Sequence, residues 1–265
     1  MPEYIKYFNN HSNYEQYMGG DVVFPNVSFC KEEKDIHFNP KTRANGHAYV
    51  DLGLPSGTLW ATMNIGATGE TDGGLFFAWG DTQGYTKDEV TGGTKNFNWS
   101  SYPHADGAYN KLTKYCPSSA TTYWGGSGQP DNEDILSIED DAARVNWGGE
   151  WEIPSISSIN ELSANTTCTW DSQRVGNLFT SNINGNSIFI PAVGTCISNT
   201  VLYEGDLSAC WTTELYTTNP RQAWFSQNTS SGCALNNNYE RAQGLTIRPV
   251  LSLIIPIIPD IPIFA

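Results

Sequence analysis

Residues 140–154 read DDAARVNWGGEWEIP, and Ser155 follows them directly. Ser155 is a good helix N-cap, because its hydroxyl can accept a hydrogen bond from a backbone amide of the first turn. The next apolar positions are spaced for one buried helix face: Ile156, Ile159 and Leu162. A second short helix is predicted from Ile138 to Val145. Between the two helices, Trp147-Gly148-Gly149 predicts an indole lying against backbone that only glycine can bring so close.

Everything after the helix that follows Ser155 is predicted to be strand and loop. Asn184-Gly185 inside residues 177–190 is a strong signal for a hairpin with a type I′ turn. Further strands are predicted at 210–213, 223–226 and 245–250. Four tryptophans are expected to anchor the core: Trp60, Trp79, Trp151 and Trp211. Arg248 lies in an apolar strand and is expected to pair with a buried carboxylate or carbonyl. The pattern as a whole predicts an α+β fold with small antiparallel sheets and long loops.

Composition excludes several classes of partner. The 265 residues contain 14 Lys and Arg against 28 Asp and Glu, a net charge of −14. Such a protein is repelled by nucleic acid phosphates and by anionic lipid surfaces, so neither is expected as a partner. Aromatic residues make up 12% of the chain and charged residues only 16%, which argues against disorder.

Residues 1–43 are predicted to form a small attachment module in front of a main domain at residues 44–250. Forty residues bury little core of their own. The module therefore either packs on the main domain or docks on a neighbouring subunit. The residues expected to make that contact are aromatic: Tyr4, Tyr7, Phe8, Tyr14 and Tyr17.

Residues 251–265 form an apolar arm in which Pro256, Pro259 and Pro262 recur every third residue. This period matches polyproline II and aligns further apolar residues along a second edge. The residues expected to make contacts are Ile255, Ile258, Ile261 and Phe264. The arm is too short and too rich in proline to span a membrane. It must pack on its own domain or be covered by another chain. The second alternative is the prediction, which implies a homo-oligomer, with a trimer as one option.

The six cysteines lie far apart, without the spacing of a zinc site. Because the count is even, both disulfides and free buried thiols remain open. The N-terminus has neither a basic start nor an apolar core, so no secretory signal is expected.

Four passages together resemble a family of C-type lectin-like domains found in gut Bacteroidales and their tailed phages. They are residues 49–67, 75–80, 140–154 and 244–250. The resemblance extends over about 200 of the 265 residues. It implies a compact α+β domain whose C-terminal third forms a variable, loop-rich face. Residues 26–30 and 35–39 are similar to modules of phage structural proteins. Together these similarities imply a virion surface protein assembled in the host cytoplasm: a head fibre, a capsid decoration or a tail-associated protein.

The candidate ligand-binding face lies between Leu202 and Arg241. It mixes Tyr with Asn, Ser and Gly, as antibody paratopes do, because rigid rings supply contact area and amides adapt their hydrogen bonds. The candidate residues are Tyr203, Glu204, Asp206, Glu214, Tyr216, Asn219, Arg221, Trp224, Gln227, Asn228, Asn236, Asn237, Asn238, Tyr239 and Arg241. The expected ligand is a glycan or an envelope protein of the host.

Three alternatives are weighed against this prediction. A bacterial cell-surface adhesin of the same fold is one, although no export signal is visible. A calcium site is another alternative, because Gln129-Pro130-Asp131 is similar to the calcium-binding motif of C-type lectins. That tripeptide precedes both predicted helices, however, whereas the lectin motif follows them. Glu204 with Asp206 provides too few oxygen ligands for calcium. The third is an enzyme related to formylglycine-generating oxidases, which Cys210 and Cys233 do not suit because they are not a close pair. No catalytic residue, metal ligand or cofactor is predicted.

Overall fold

The computed structural model describes residues 42–252. The predicted attachment residues at both ends of the chain lie outside this range, and so do residues 253–265 of the predicted polyproline arm. The predicted boundaries at 43/44 and 250/251 fall inside the first and last strands, Thr42–Ala44 and Val250–Leu251. No helix between residues 42 and 252 is long and apolar enough to cross a membrane.

The described part is a mixed α+β fold, as the sequence predicts. Its helices are α1 Lys87–Thr91, α2 Ala142–Trp147 and α3 Ile156–Asn165. Its strands are β1 Thr42–Ala44, β2 His47–Asp51, β3 Leu59–Ala61, β4 Trp151–Glu152, β5 Thr166–Asp171, β6 Gly176–Ser181, β7 Ser187–Pro191, β8 Thr195–Ile197, β9 Thr200–Leu202, β10 Ser208–Leu215, β11 Gln222–Thr229, β12 Gly232–Glu240 and β13 Val250–Leu251.

Four antiparallel sheets organise these strands. The largest has the order β1-β2-β3-β13-β4, so it joins the first and last strands of the described chain. The others are β5-β6-β7, β10-β11-β12 and the hairpin β8-β9. The β1–β2 hairpin turns at Asn45-Gly46, where both residues have positive φ (47° and 85°). This is the two-residue type I′ geometry that matches strand twist.

The helix α3 confirms the prediction at Ser155, whose side chain accepts a hydrogen bond from the Ser158 amide. Ile159 and Leu162 are buried, whereas Ile156 is only partly so. The other predicted helix, 138–145, is displaced. Residues 138–140 form a 3₁₀ turn, and α2 begins after Asp141, whose carboxylate accepts bonds from the amides at 143, 144 and 153.

Gly148 and Gly149 end α2 with left-handed φ values of 67° and 61°. The conformation of the turn thus explains these glycines. The Trp147 ring stacks on His47, with ring centroids 3.9 Å apart. A Cβ at Gly148 would also lie 2.9 Å from Asn45 Nδ2, which bonds to Trp147 O.

The hairpin predicted within 177–190 is confirmed as β6–β7, but its turn is not type I′. In the five-residue loop 182–186 only Gly185 has positive φ, whereas a type I′ turn needs two such residues. The strands predicted at 210–213 and 223–226 are parts of β10 and β11. The strand predicted at 245–250 is reduced to isolated bridges at residues 244–246 and to β13.

All four predicted tryptophan anchors are buried, at 0% or 1% exposure. Arg248 is also fully buried. Its guanidinium donates to Asn64 Oδ1 at 2.8 Å and to two backbone carbonyls, Ala61 O at 3.1 Å and Phe189 O at 2.8 Å. The carbonyl alternative is therefore confirmed. Burial lowers the pKa of Arg248 to about 10, so the group stays charged at neutral pH.

The described cysteines include both a disulfide and free buried thiols, the two alternatives that the sequence left open. Cys168 of β5 and Cys233 of β12 form a disulfide with a Cα–Cα distance of 6.3 Å. Cys116, Cys196 and Cys210 are free and buried. The bridge ties two sheets together across 65 residues of sequence.

Candidate ligand-binding groove

A cavity of about 290 Å³ opens between the β10–β12 sheet and the loop after β9. We call it the Tyr203–Tyr239 groove. Its lining residues are Thr195, Tyr203, Asp206, Leu207, Phe225, Gln227, Thr229, Asn237, Asn238 and Tyr239. Six of the fifteen predicted face residues are among them.

The floor of the groove is set by strand register. Phe225 of β11 lies opposite Asn237 of β12, and Ala223 lies opposite Tyr239. Directly opposed residues share a face of an antiparallel sheet, so Phe225, Asn237 and Tyr239 lie on one side. Phe225 is buried and packs edge-on against Trp211, with ring centroids 6.3 Å apart. The polar and aromatic groups of β12 therefore rest on a fixed apolar base.

One wall is the tight turn after β9. Tyr203 has a φ of 60° and is 59% exposed, so its ring stands free of the core. Its carbonyl accepts bonds from the amides of Asp206 and Leu207, at 3.1 and 3.0 Å. Gly194, with φ 75°, lies beneath this turn, where a Cβ would overlap Leu202 O. The backbone thus holds Tyr203 in place without help from its side chain.

The polar groups of the groove are side-chain amides, phenols, the hydroxyls of two threonines and one carboxylate. Asn237 Nδ2 donates to Gln227 Oε1 at 2.6 Å, which aligns the two amides and leaves Asn237 Oδ1 to accept a bond from the Asn238 amide. The Tyr239 hydroxyl lies 3.4 Å from Thr195 Oγ1. Burial raises the pKa of Tyr239, so its phenol stays neutral and can both donate and accept. Asp206 is exposed. This set can bind a polar ligand that also offers an apolar face.

The remaining candidates are not all on this side of the sheet. Strand alternation turns the side chains of Asn236 and Asn238 away from that of Asn237. Accordingly, Asn236 Nδ2 donates to Asn160 of α3 at 2.7 Å. Trp224 lies opposite Asn238 and packs edge-on against Tyr216 at 5.0 Å. The prediction of one continuous face is therefore wrong for Asn236, Trp224 and Tyr216, whereas Asn238 is among the residues that line the groove.

Three predicted face residues have structural roles. Asn228 and Arg241 are 0% exposed, so neither can meet a ligand at the surface. Arg241 donates to the carbonyls of Lys114, Tyr115 and Pro220, at 2.6 to 3.1 Å. Glu214 accepts both its bonds from the Ile156 amide, at 2.9 and 3.0 Å, and so caps α3.

The last three candidates lie outside the groove. Glu204 pairs with Lys87 of α1 at 2.6 Å. Arg221 pairs with Glu240 and lies over the ring of Tyr109, 4.2 Å from its centroid. Asn219 belongs to the turn that joins β10 to β11, where its backbone N–H donates to Tyr216 O at 2.9 Å.

The structure also assigns a role to Asp131, the carboxylate of the Gln129-Pro130-Asp131 tripeptide that was weighed above as a calcium motif. Asp131 accepts bonds from the amides of Tyr115 and Cys116, at 2.6 and 2.8 Å. Within residues 42–252 there is no group of three or more His, Cys, Asp or Glu side chains that could hold a metal ion. Cys210 and Cys233, considered above as a redox pair, are separate: Cys233 is bound to Cys168.

Sequence reasoning missed a half-buried polar cluster at His104, Lys114, Tyr115, Ser137 and Asp140. Asp140 Oδ2 accepts from both Lys114 Nζ and Tyr115 OH at 2.5 Å. His104 Nε2 lies 2.9 Å from Gly80 O and 3.7 Å from Asp140 Oδ2, and burial lowers the pKa of its imidazole. If the neutral His104 ring donates its Nε2–H to Gly80 O, that nitrogen has no lone pair with which to accept a proton. His104 Nε2 then cannot act as a base. The residues of this cluster are up to 36 positions apart in sequence, so no local sequence pattern predicts that they lie together.

No protein-family model matches the chain, and neither the curated proteins nor the solved structures contain a match to it.

Proposed function

We propose that this chain is a virion surface protein of a tailed phage, with a C-type lectin-like fold, that binds a host glycan or envelope protein through the Tyr203–Tyr239 groove. The observation that carries the proposal is the groove itself. It combines an exposed tyrosine, a second tyrosine on a buried floor, an aligned pair of amides and an exposed carboxylate. The sequence resemblance supports the choice of fold and of phage.

The composition of the groove supports binding to a surface that varies. Tyrosine supplies a large contact area with few rotatable bonds, and amides both donate and accept hydrogen bonds. The volume of about 290 Å³ is at the small end of the range for ligand sites. It suits a single sugar ring or one side chain of a protein partner rather than an extended polymer.

Binding without catalysis is the proposed activity. The groove's reactive candidates are phenols, amides, two threonine hydroxyls and one carboxylate, and none of its lining residues is a His or a Cys. Nucleophilic catalysis usually needs a nucleophile held against a base. No cofactor is proposed. Assembly into a homo-oligomer and attachment to other virion proteins remain part of the proposal, through residues outside the described range.

A bacterial cell-surface adhesin is the second candidate, and the disulfide is consistent with it. Bridges such as Cys168–Cys233 persist in oxidising compartments and are rare in the cytosol. A phage protein released by lysis meets the same oxidising medium, so the bridge fits both candidates. Mass spectrometry of purified particles and of washed outer membranes from the same culture separates them.

The binding proposal is tested on intact cells from a panel of gut Bacteroidales. Tyr203→Ala should weaken binding about 30-fold or more, the loss expected of a hot-spot residue of about 2 kcal/mol. Tyr109→Ala is the matched control, because Tyr109 is also an exposed tyrosine, at 44%, but lies outside the groove. Equal binding by both variants, or no binding of the unmodified chain to any strain, would contradict the proposal.

A further inference from the structure

The Tyr203–Tyr239 groove carries an unbalanced negative charge. Asp206 is the one charged residue that lines it, and its exposed carboxylate has no ion-pair or hydrogen-bond partner among the described residues. The two other carboxylates beside the groove are already paired: Glu204 with Lys87 at 2.6 Å, and Glu240 with Arg221. None of the lining residues is a Lys, an Arg or a His. Asp206 is therefore available to bind a cation that the ligand brings.

The aromatic side chains of the groove also suit a cation. The faces of aromatic rings carry partial negative charge and attract ammonium groups. The rings of Phe225 and Tyr239 lie with their centroids 5.8 Å apart, and the Tyr203 side chain is 59% exposed on the wall formed by the turn after β9. Burial raises the pKa of the Tyr239 phenol, and the charge of Glu240 raises it further. A cationic ligand thus meets a carboxylate and ring faces in one cavity.

The hydrogen-bond donors of the groove decide what carries that cation. Gln227 Oε1 is taken up by Asn237 Nδ2 at 2.6 Å, which leaves Gln227 Nε2 to donate to a ligand. Thr195 Oγ1 and the Tyr239 hydroxyl, 3.4 Å apart, can also donate. These donors need acceptors, but a lysine ammonium and an arginine guanidinium are donors only. Sugar hydroxyls accept as well as donate, and a sugar ring has an apolar C–H face that can cover an aromatic ring.

We propose that the Tyr203–Tyr239 groove recognises an amino sugar whose amine is free and charged. Asp206 binds the ammonium group, the Tyr203 ring covers the apolar face of the sugar, and Gln227 Nε2 donates to a hydroxyl oxygen. The volume of about 290 Å³ suits one such ring. The inference rests on the proposed function and narrows its ligand to a glycan with an unacetylated amine. Acetylation of that amine removes the charge and should weaken binding.

Calorimetric titration of the full chain with glucosamine and with glucose tests the proposal, because the two sugars differ only where an ammonium replaces a hydroxyl. Glucosamine should bind about tenfold or more tightly than glucose or N-acetylglucosamine, since charge-assisted hydrogen bonds are the stronger ones. Asp206→Asn should abolish this preference and leave the affinity for glucose unchanged. Glu204→Gln is the matched control and should keep the preference, because Glu204 is an exposed carboxylate that does not line the groove.

Three results would overturn the inference. The first is equal affinity for glucosamine and glucose, or a preference that survives Asp206→Asn. If Tyr203→Ala abolishes that equal binding, the proposed function stands and only the charge of the ligand is wrong. The second is tighter binding of Nα-acetyl-lysine amide than of glucosamine, which would assign the groove to a basic side chain of a protein partner. The third is no binding of glucosamine at all. The comparison of Tyr203→Ala with Tyr109→Ala on whole cells then reports separately on the proposed function.

Discussion

The disulfide between Cys168 and Cys233 should be a major source of stability. It closes a loop across 65 residues of sequence. In the chain-entropy treatment a loop of this size removes enough freedom from the unfolded chain to stabilise the fold by about 4 kcal/mol. It also holds β12, the strand that carries Asn237 and Tyr239, against β5. The bridge therefore supports the Tyr203–Tyr239 groove as well as the core.

We expect Cys168→Ser with Cys233→Ser to lower the free energy of unfolding by about 4 kcal/mol. With a urea slope of about 2 to 3 kcal/mol per molar, the midpoint should fall by roughly 1 to 2 M. Urea unfolding followed by tryptophan fluorescence measures this, and peptide mapping without reduction identifies the bridge. As a control, a reducing agent should destabilise the unmodified chain but not the double variant. A change below about 1 kcal/mol, or Cys168 recovered as a free thiol, would refute the reasoning.

Three further predictions concern the core and the walls of the groove. Gly194→Ala should destabilise the fold by at least about 1 kcal/mol more than Gly205→Ala in thermal unfolding, because both have positive φ but only the first Cβ would overlap Leu202 O. Trp211→Ala should cost about 3 to 5 kcal/mol in urea unfolding, since the buried ring also donates to Phe77 O at 2.8 Å; a cost below 1 kcal/mol would contradict its role as an anchor. Burial lowers the pKa of His104 from 6.5, so the unfolded chain takes up a proton that the folded chain does not. Its contribution is present above pH 6.5 and lost as the pH falls, and His104→Gln should flatten the stability profile between pH 6.5 and 5, which an unchanged profile would contradict.

Features set by local chemistry were predictable from the sequence. Ser155 caps α3 because a serine hydroxyl satisfies an amide of the first turn, and that depends only on neighbours in the chain. The four tryptophans are buried because large apolar rings dominate core packing. The partners of Arg248 were also foreseen in kind, since a guanidinium inside a core must find acceptors.

Features set by register were not predictable. Asn236 and Asn237 are identical in type and adjacent in sequence, yet strand pairing turns one toward α3 and the other into the groove. The two Asn-Gly pairs show the same limit: Asn45-Gly46 forms the type I′ turn that was assigned to Asn184-Gly185. The prediction placed Arg241 on the surface. Its acceptors are backbone carbonyls more than 20 residues away, and the sequence alone does not indicate which carbonyls the fold brings close to it.

The central claim is that one face of the β10–β12 sheet, at the Tyr203–Tyr239 groove, binds the ligand. The most direct measurement compares the apparent Kd of Asn237→Ala with that of Asn236→Ala on the same host cells. The account predicts a loss of about tenfold or more for Asn237→Ala, equal to about 1.4 kcal/mol, and less than twofold for Asn236→Ala. Equal losses, or a larger loss for Asn236→Ala, would contradict it.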